Sequence, residues 1–405
     1  MIFHALKVMR ISIKSFLNCK LFLNEVIKVG NESNYKLDDY TFSYEKTTLN
    51  DESCIQINGC IVYNKCSNLI IPDEIDGLPV KIIGRKAFCS NGYSDLIESK
   101  SIKLPKYLEV IDDGAFFKSS IEKISFPETL RIIGNNTFSN SHLSSVQFNE
   151  GLEEIGSGAF SFTHLDEAIL PDSLTEIAPD LFSHSGLSRI HLGANVKIIH
   201  ESAFYVCSSL KDINLPEGLT HIADYAFFGT DIEDVILPDS LIALGCQVFE
   251  ECESLETIHI GAKLTDVDVY DEFAYGCYNL KEITVSENNK EFKSIGGVLY
   301  NTDQKVLVRV PPLINADKID IPRWVEKMAY FCFEDVDNIT VVIRNPSIEY
   351  LDDSLLNDKK NIIACTKGSE VEKWAQQHNL KVSSIQSDLE IFLEDLIDDE
   401  KNPNK

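Results

Sequence analysis

The chain has 405 residues, 44% of them hydrophobic and 25% charged, and a formal net charge of −27. That composition belongs to a folded protein, not a disordered one. Its acidity excludes nucleic acid and anionic membrane surfaces as partners, because phosphate would be repelled. The length suits two or three ordinary domains or one long repeat array. Eleven cysteines (Cys19, Cys54, Cys60, Cys66, Cys89, Cys207, Cys246, Cys252, Cys277, Cys332 and Cys365) include no C-x-x-C pair. That spacing argues against zinc and thioredoxin-like chemistry, and the chain is long for a disulfide scaffold. The thiols are expected to be free and to act as small buried apolar groups.

Residues 1–24 carry Lys7, Arg10, Lys14 and Lys20 and no acid. These cations interrupt each apolar run, so no signal-peptide h-region forms, and no stretch reaches the ~18 apolar residues of a spanning helix. The expectation for 1–39 is an N-terminal extension or cap, favoured over a basic amphipathic helix that touches a membrane, and the sequence by itself suggests a cytoplasmic protein.

A repeat then organises the chain. Phe88, Phe116, Phe138, Phe160, Phe182, Phe204, Phe227 and Phe249 recur at intervals near 22 residues, five of them after Ala. Five residues before the phenylalanines stand Ile111, Ile133, Ile155, Ile177, Ile199, Ile222 and Leu244, and three before those Leu108, Leu130, Leu152, Leu174, Val196, Leu219 and Leu241. A third set follows each phenylalanine, as in Leu187-x-x-Ile190-x-Leu192. Each unit is too short to enclose its own apolar residues, whereas stacked units place every one on its counterpart. The I-x-L alternation predicts a short strand with one face inward. Pro105, Pro127, Pro171, Pro216 and Pro238 end it, since proline cannot donate to the ladder. The Ala-Phe step reads as a short helical or 3₁₀ turn.

The array is expected to span 40–285. Residues 286–320 interrupt it as a hairpin insertion, with FKSIGGVLY and KVLVRV as its arms and a polar turn at Asn301–Gln304. The last repeats follow at 321–366, and 367–405 form a helical cap with an acidic tail. In that tail Leu389, Phe392, Leu393 and Leu396 share one helical face, which either covers the last coil or docks a partner.

The repeat, together with IIPDEIDGLPVKIIGRKAF at 70–88, FKSIGGVLYNTDQKVLVRVPP at 292–312 and CTKGSEVEKWAQQHNLKV at 365–382, resembles the BspA-type leucine-rich repeat family. The resemblance covers roughly residues 40–385. It implies a leucine-rich-repeat solenoid, elongated and curved, β-rich, with short helices at the ends. It also implies adhesion, binding of host or matrix proteins, and a secreted or cell-surface location, with no catalytic residues to transfer.

Within the strands the outward columns are the expected contact face. One column reads Ser125, Gln147, Ile169, His191, Asn214, Ile236, His259 and Thr284; another reads Lys123, Ser145, Glu167, Arg189, Asp212, Asp234, Thr257 and Glu282. The candidate interaction residues are Lys123, Ser125, Gln147, Glu167, Arg189, His191, Asp212, Asn214, Asp234 and His259. An enzymatic alternative, a polysaccharide-active solenoid, would pair Asp212 with Asp234 on adjacent coils near Arg189 or His191. A solvated face of an acidic protein, where neighbouring carboxylates arise by composition alone, is the favoured account, because no third or fourth metal ligand accompanies them. His142 and His164 share a turn position, as do Cys207, Cys252 and Cys277. Side-chain economy at equivalent sites explains both sets without chemistry. No phosphate loop, nucleophile elbow or zinc-protease string is present. The expected function is therefore a non-catalytic protein-interaction module without cofactor or metal, whose partner has a neutral or basic surface.

Overall fold

The structure, a computed structural model, describes residues 33–37, 39–62, 68–89, 100–268, 273–349, 351, 354 and 360–385. The basic segment 1–24, the acidic segment 386–405, Cys19 and Cys66 lie outside the described residues. The described residues wind in coils whose short strands stack into mostly parallel sheets. The described residues fall into two compact units: the first runs to Ile232 and includes Ser240–Phe249, and the second comprises Glu233–Asp239 and the chain from Glu250 onward.

The first unit begins with a hairpin, Tyr40–Leu49 paired antiparallel with Glu52–Val62. Its turn residues Asn50 and Asp51 have φ of 51° and 62°, the left-handed pair that suits the twist of a two-residue loop. Ile57 then pairs in parallel with Ile83 of Leu78–Ile83, and Ile83 with Ile111, so the hairpin becomes the first member of a parallel ladder. Phe42 is fully buried, and its ring meets Phe88 edge-on at 6.3 Å, closing the apolar end of the first coil.

Each following coil contributes two short strands. One ladder joins Val110–Ile111, Ile132–Ile133 and Glu154–Ile155, and a separate ladder joins Glu176–Ile177, Ile198–Ile199, His221–Ile222 and Ala243–Leu244. The other strands run Asn68–Ile70, Ser101–Lys103, Lys123–Ser125, Ser145–Gln147 in one sheet and Glu167–Ile169, Arg189–His191, Asp212–Ile213 in the next. The register is in phase with the sequence period, Ile133 opposite Ile155 and Ile177 opposite Ile199, which is why like residues lie over like. The leucine column from Leu108 to Leu241 is at most 2% exposed. The eight repeat phenylalanines stack from Phe88 to Phe249 with centroids 5.1–5.8 Å apart and planes within 18°.

The Ala-Phe step combines two hydrogen-bond patterns. Around Phe182, the N–H groups of Leu181, Ser183 and Ser185 donate to the third residue back, as in a 3₁₀ turn. Those of Asp180, Phe182 and His184 donate instead to Glu201, Ala203 and Tyr205 of the next coil. Alternate amides can leave the turn because Asp180 and His184 take positive φ, 55° and 56°.

In the second unit Asp234–Ile236, Thr257–Ile260 and Glu282–Val285 form a parallel sheet. Phe292–Ile295 pairs antiparallel with Val298–Asn301, and that strand with Val306–Arg309. Val306 and Leu307 then re-enter the array by pairing in parallel with Lys327 and Met328. Lys318–Ile321, Thr340–Ile343, Ile362–Thr366 and Lys381–Ile385 complete a parallel sheet. Among the described residues one α-helix is present, Glu370–Gln377, started by Ser369, whose side chain accepts from the Glu372 amide.

Candidate interaction face

Strand alternation decides which side chains face out. In Lys123–Ser125, Glu167–Ile169, Arg189–His191 and Asp234–Ile236 the middle residue is buried and its neighbours are exposed. Lys123, Ser125, Gln147, Glu167, Arg189, His191, Asp212, Asn214 and Asp234 are all exposed, and His259 is half-buried. Ile169 and Ile236, 71% and 69% exposed, take equivalent outward positions in their own strands. They were absent from the candidate set, although an isoleucine in a column of polar residues is a signal readable in the sequence.

Within each sheet the candidates meet their neighbours one coil away. Lys123 lies opposite Ser145 and Ser125 opposite Gln147. Glu167 lies opposite Arg189, which lies opposite Asp212. Asp234 lies opposite Thr257, and Ile236 opposite His259. Arg189 forms an ion pair with Glu167, the Thr257 hydroxyl donates to Asp234, and His259 Nδ1 is 2.9 Å from the Thr284 hydroxyl. At this exposure an ion pair adds at most about 1 kcal/mol, so the contacts order the face without stiffening it.

The two carboxylates considered for catalysis belong to different units. Asp212 ends one sheet beside Arg189, whereas Asp234 begins another beside Thr257. The His142 and His164 rings meet edge-on, 5.8 Å apart at 70°, rather than stacking. Among the described residues no group of three or more His, Cys, Asp or Glu is placed to hold a metal ion. No helix of the described chain is long and apolar enough to cross a membrane.

The buried polar groups serve the interior. The nine described cysteines are free thiols, and eight are buried. Burial pushes the thiols of Cys54 and Cys207 up to about 11, and that of Cys277 up as well, against the slight pull of Arg309. Arg309 is 1% exposed. Its Nη1 donates to the Phe331 carbonyl at 2.5 Å, while Nε and Nη2 are without hydrogen-bond partners. Desolvation lowers its pKa, with Cys277 and Cys332 beside it. The sequence reading took Arg309 for part of a hairpin arm and missed its burial.

A stacked array of short coils, with strands facing out on one side and a phenylalanine column within, is a leucine-rich-repeat solenoid. The chain belongs to the BspA type leucine-rich repeat family: six copies of that repeat region match over residues 58–188, 175–296 and 313–390. Among solved structures it is similar to a leucine-rich repeat protein from Bacteroides ovatus, 21% identical, over 87% of this chain and 100% of that one, with a TM-score of 0.62. It is also similar to a leucine rich cell surface protein from Faecalibacterium prausnitzii, 20% identical over 82% of this chain and 76% of that one, with a TM-score of 0.46. No curated protein sequence matches it.

Proposed function

We propose that this chain is a non-catalytic interaction module that binds another protein through the outward strand face that includes Arg189, His191, Asp212 and Asn214. The observation that carries this reading is the contrast between columns. The inward side chains repeat Ile and Leu at nearly constant positions, while the exposed ones vary among Lys, Ser, Gln, Glu, Arg, His, Asp and Ile. Packing explains the constancy, and an outward set that varies at fixed spacing can read a partner over several coils. The net charge of −27 favours a partner with a neutral or basic surface.

The test captures partners from the native cell with the purified chain. It then measures each affinity for a combined Arg189→Glu, His191→Ala, Asp212→Ala, Asn214→Ala variant. The expected outcome is a loss of about tenfold or more with little change in thermal stability, because all four side chains are exposed. Unchanged affinity for every partner would overturn the placement. In the adhesin form that family membership suggests, fractionation recovers the chain at the cell surface. No observation favours the polysaccharide-active alternative.

A further inference from the structure

We propose that the turn edge of the first unit carrying Phe162, His184, Tyr205 and Phe228 is a second docking surface, and that its occupant is a Lys- and Arg-rich segment of a partner protein. These residues follow successive repeat phenylalanines by one or two positions. They lie on the turns, away from the strand face. Phe162 and His184 have φ of 54° and 56°, and their amides donate to Ser183 and Tyr205 of the next coil. With the backbone so placed, their side chains stand in solvent; Phe162 is 49% exposed.

The rings form a continuous row across four coils. Phe162 stacks on His184 with centroids 4.6 Å apart and planes 14° from parallel. His184 meets Tyr205 edge-on at 5.4 Å, and Tyr205 stacks on Phe228 at 4.9 Å and 15°. The fold does not require aromatic groups here. The positions equivalent to Tyr205 and Phe228 on other coils hold Phe117, Ser139, Ser161 and Ser183, and those equivalent to Phe162 and His184 hold Lys118, Asn140 and Val206. A bulky apolar side chain at positive φ is also locally unfavourable, so Phe162 is costly to the isolated fold.

The charge beside the row favours a cation. Asp180 lies close enough to His184 for their charges to interact, and its amide donates to the Glu201 carbonyl of the next coil. Burial raises the carboxyl pKa values of both Asp180 and Glu201, and for Glu201 the nearby Asp224 and Asp180 add to the effect. Some acids of this unit are paired, Glu122 with Lys100, Glu153 with Arg131 and Glu167 with Arg189. Among the described residues neither Asp180 nor Glu201 has an ion-pair partner. A guanidinium or ammonium on the aromatic faces would meet the negative side of the ring quadrupole and these carboxylates together. The chain shows the first of these contacts on its own turns, where the Lys118 ammonium sits 5.2 Å from the Phe117 ring centroid. A neutral sugar would gain from stacking but would leave the carboxylates uncompensated.

The test measures anisotropy of a labelled Arg/Ser peptide, a matched Gln/Ser peptide and a labelled neutral oligosaccharide with the purified full chain at about 0.15 M salt. The Arg/Ser peptide is expected to bind and the other two not. Phe162→Leu with Tyr205→Leu leaves the net charge unchanged and should weaken peptide binding about tenfold. Asp180→Asn with Glu201→Gln should weaken it as well, while the strand-face variant should leave it unchanged. Thermal melts check that the variants are folded, and exposed Phe162→Leu alone provides the milder substitution. The proposal is overturned if the Arg/Ser peptide fails to bind, if the Gln/Ser peptide binds equally, or if folded ring variants bind like the parent. Ring-dependent binding of the oligosaccharide alone overturns it in favour of a carbohydrate site. The strand-face proposal stands or falls separately, on its own variant.

Discussion

Two residues per coil turn the chain around each repeat phenylalanine, and many of them are not glycine. Asn136 and Asn140 flank Phe138, Asp180 and His184 flank Phe182, and Ser202 and Val206 flank Phe204, all with φ between 52° and 58°. Asn and Asp tolerate this region better than most residues, while Val is poorly suited to it. Gly158, at the position equivalent to Ser202, has φ 63°, and a Cβ there would meet Asn136 Oδ1 at 2.7 Å. Gly158→Ala is therefore expected to cost about 1–2 kcal/mol. Ser202→Gly should be neutral to stabilising by about 0.5 kcal/mol, because relief at positive φ offsets the added freedom of the unfolded chain. Urea midpoints at unchanged slope provide the check. Only the glycines among these positions were legible in the sequence, since the other side chains do not announce a positive φ.

The phenylalanine stack acts as one element across coils, because each ring has a ring above and below it. Phe160 is fully buried between Phe138 and Phe182, at 5.4 and 5.8 Å. Phe148 also touches its edge at 5.4 Å. Removing the ring opens a cavity that backbone bonds on both sides keep from collapsing, since Phe160 donates to Leu181 and Phe138 to Ala159. Phe160→Ala should cost about 3–5 kcal/mol by chemical denaturation, and Phe160→Leu distinctly less. Equal costs for the two would show that stacking with volume is not what the column supplies. This element was legible in the sequence because the intervals near 22 residues superpose like on like. The closing hairpin was harder to foresee: Tyr40–Leu49 and Glu52–Val62 precede the first repeat phenylalanine and lack its period.

Over the whole molecule most of the charge stays at the surface and the thiols go inside, because the coils need little polar surface within. Residues 386–405 hold seven acids and two lysines, so most of the −27 resides in the remaining chain. Among the described cysteines Cys246 is half-buried and the others are buried. With Cys54 and Cys207 pushed up to about 11, little thiolate is present at pH 8. Maleimide followed by peptide mass spectrometry should therefore modify Cys246 first among these nine, and the buried eight only after denaturation. Rapid labelling of Cys207 in the folded chain would contradict this packing.

The sequence by itself determined the repeat, its inward columns, the strand alternation and the family, because periodic burial is written directly in the order of apolar residues. It also placed most of the outward strand face. Tertiary structure decided which coils share a hydrogen-bonded sheet. It decided that Arg309 is enclosed, and that Phe162, His184, Tyr205 and Phe228 meet in a row on the turns. Those outcomes depend on backbone angles and on neighbours about 22 residues away, which single-residue chemistry does not encode.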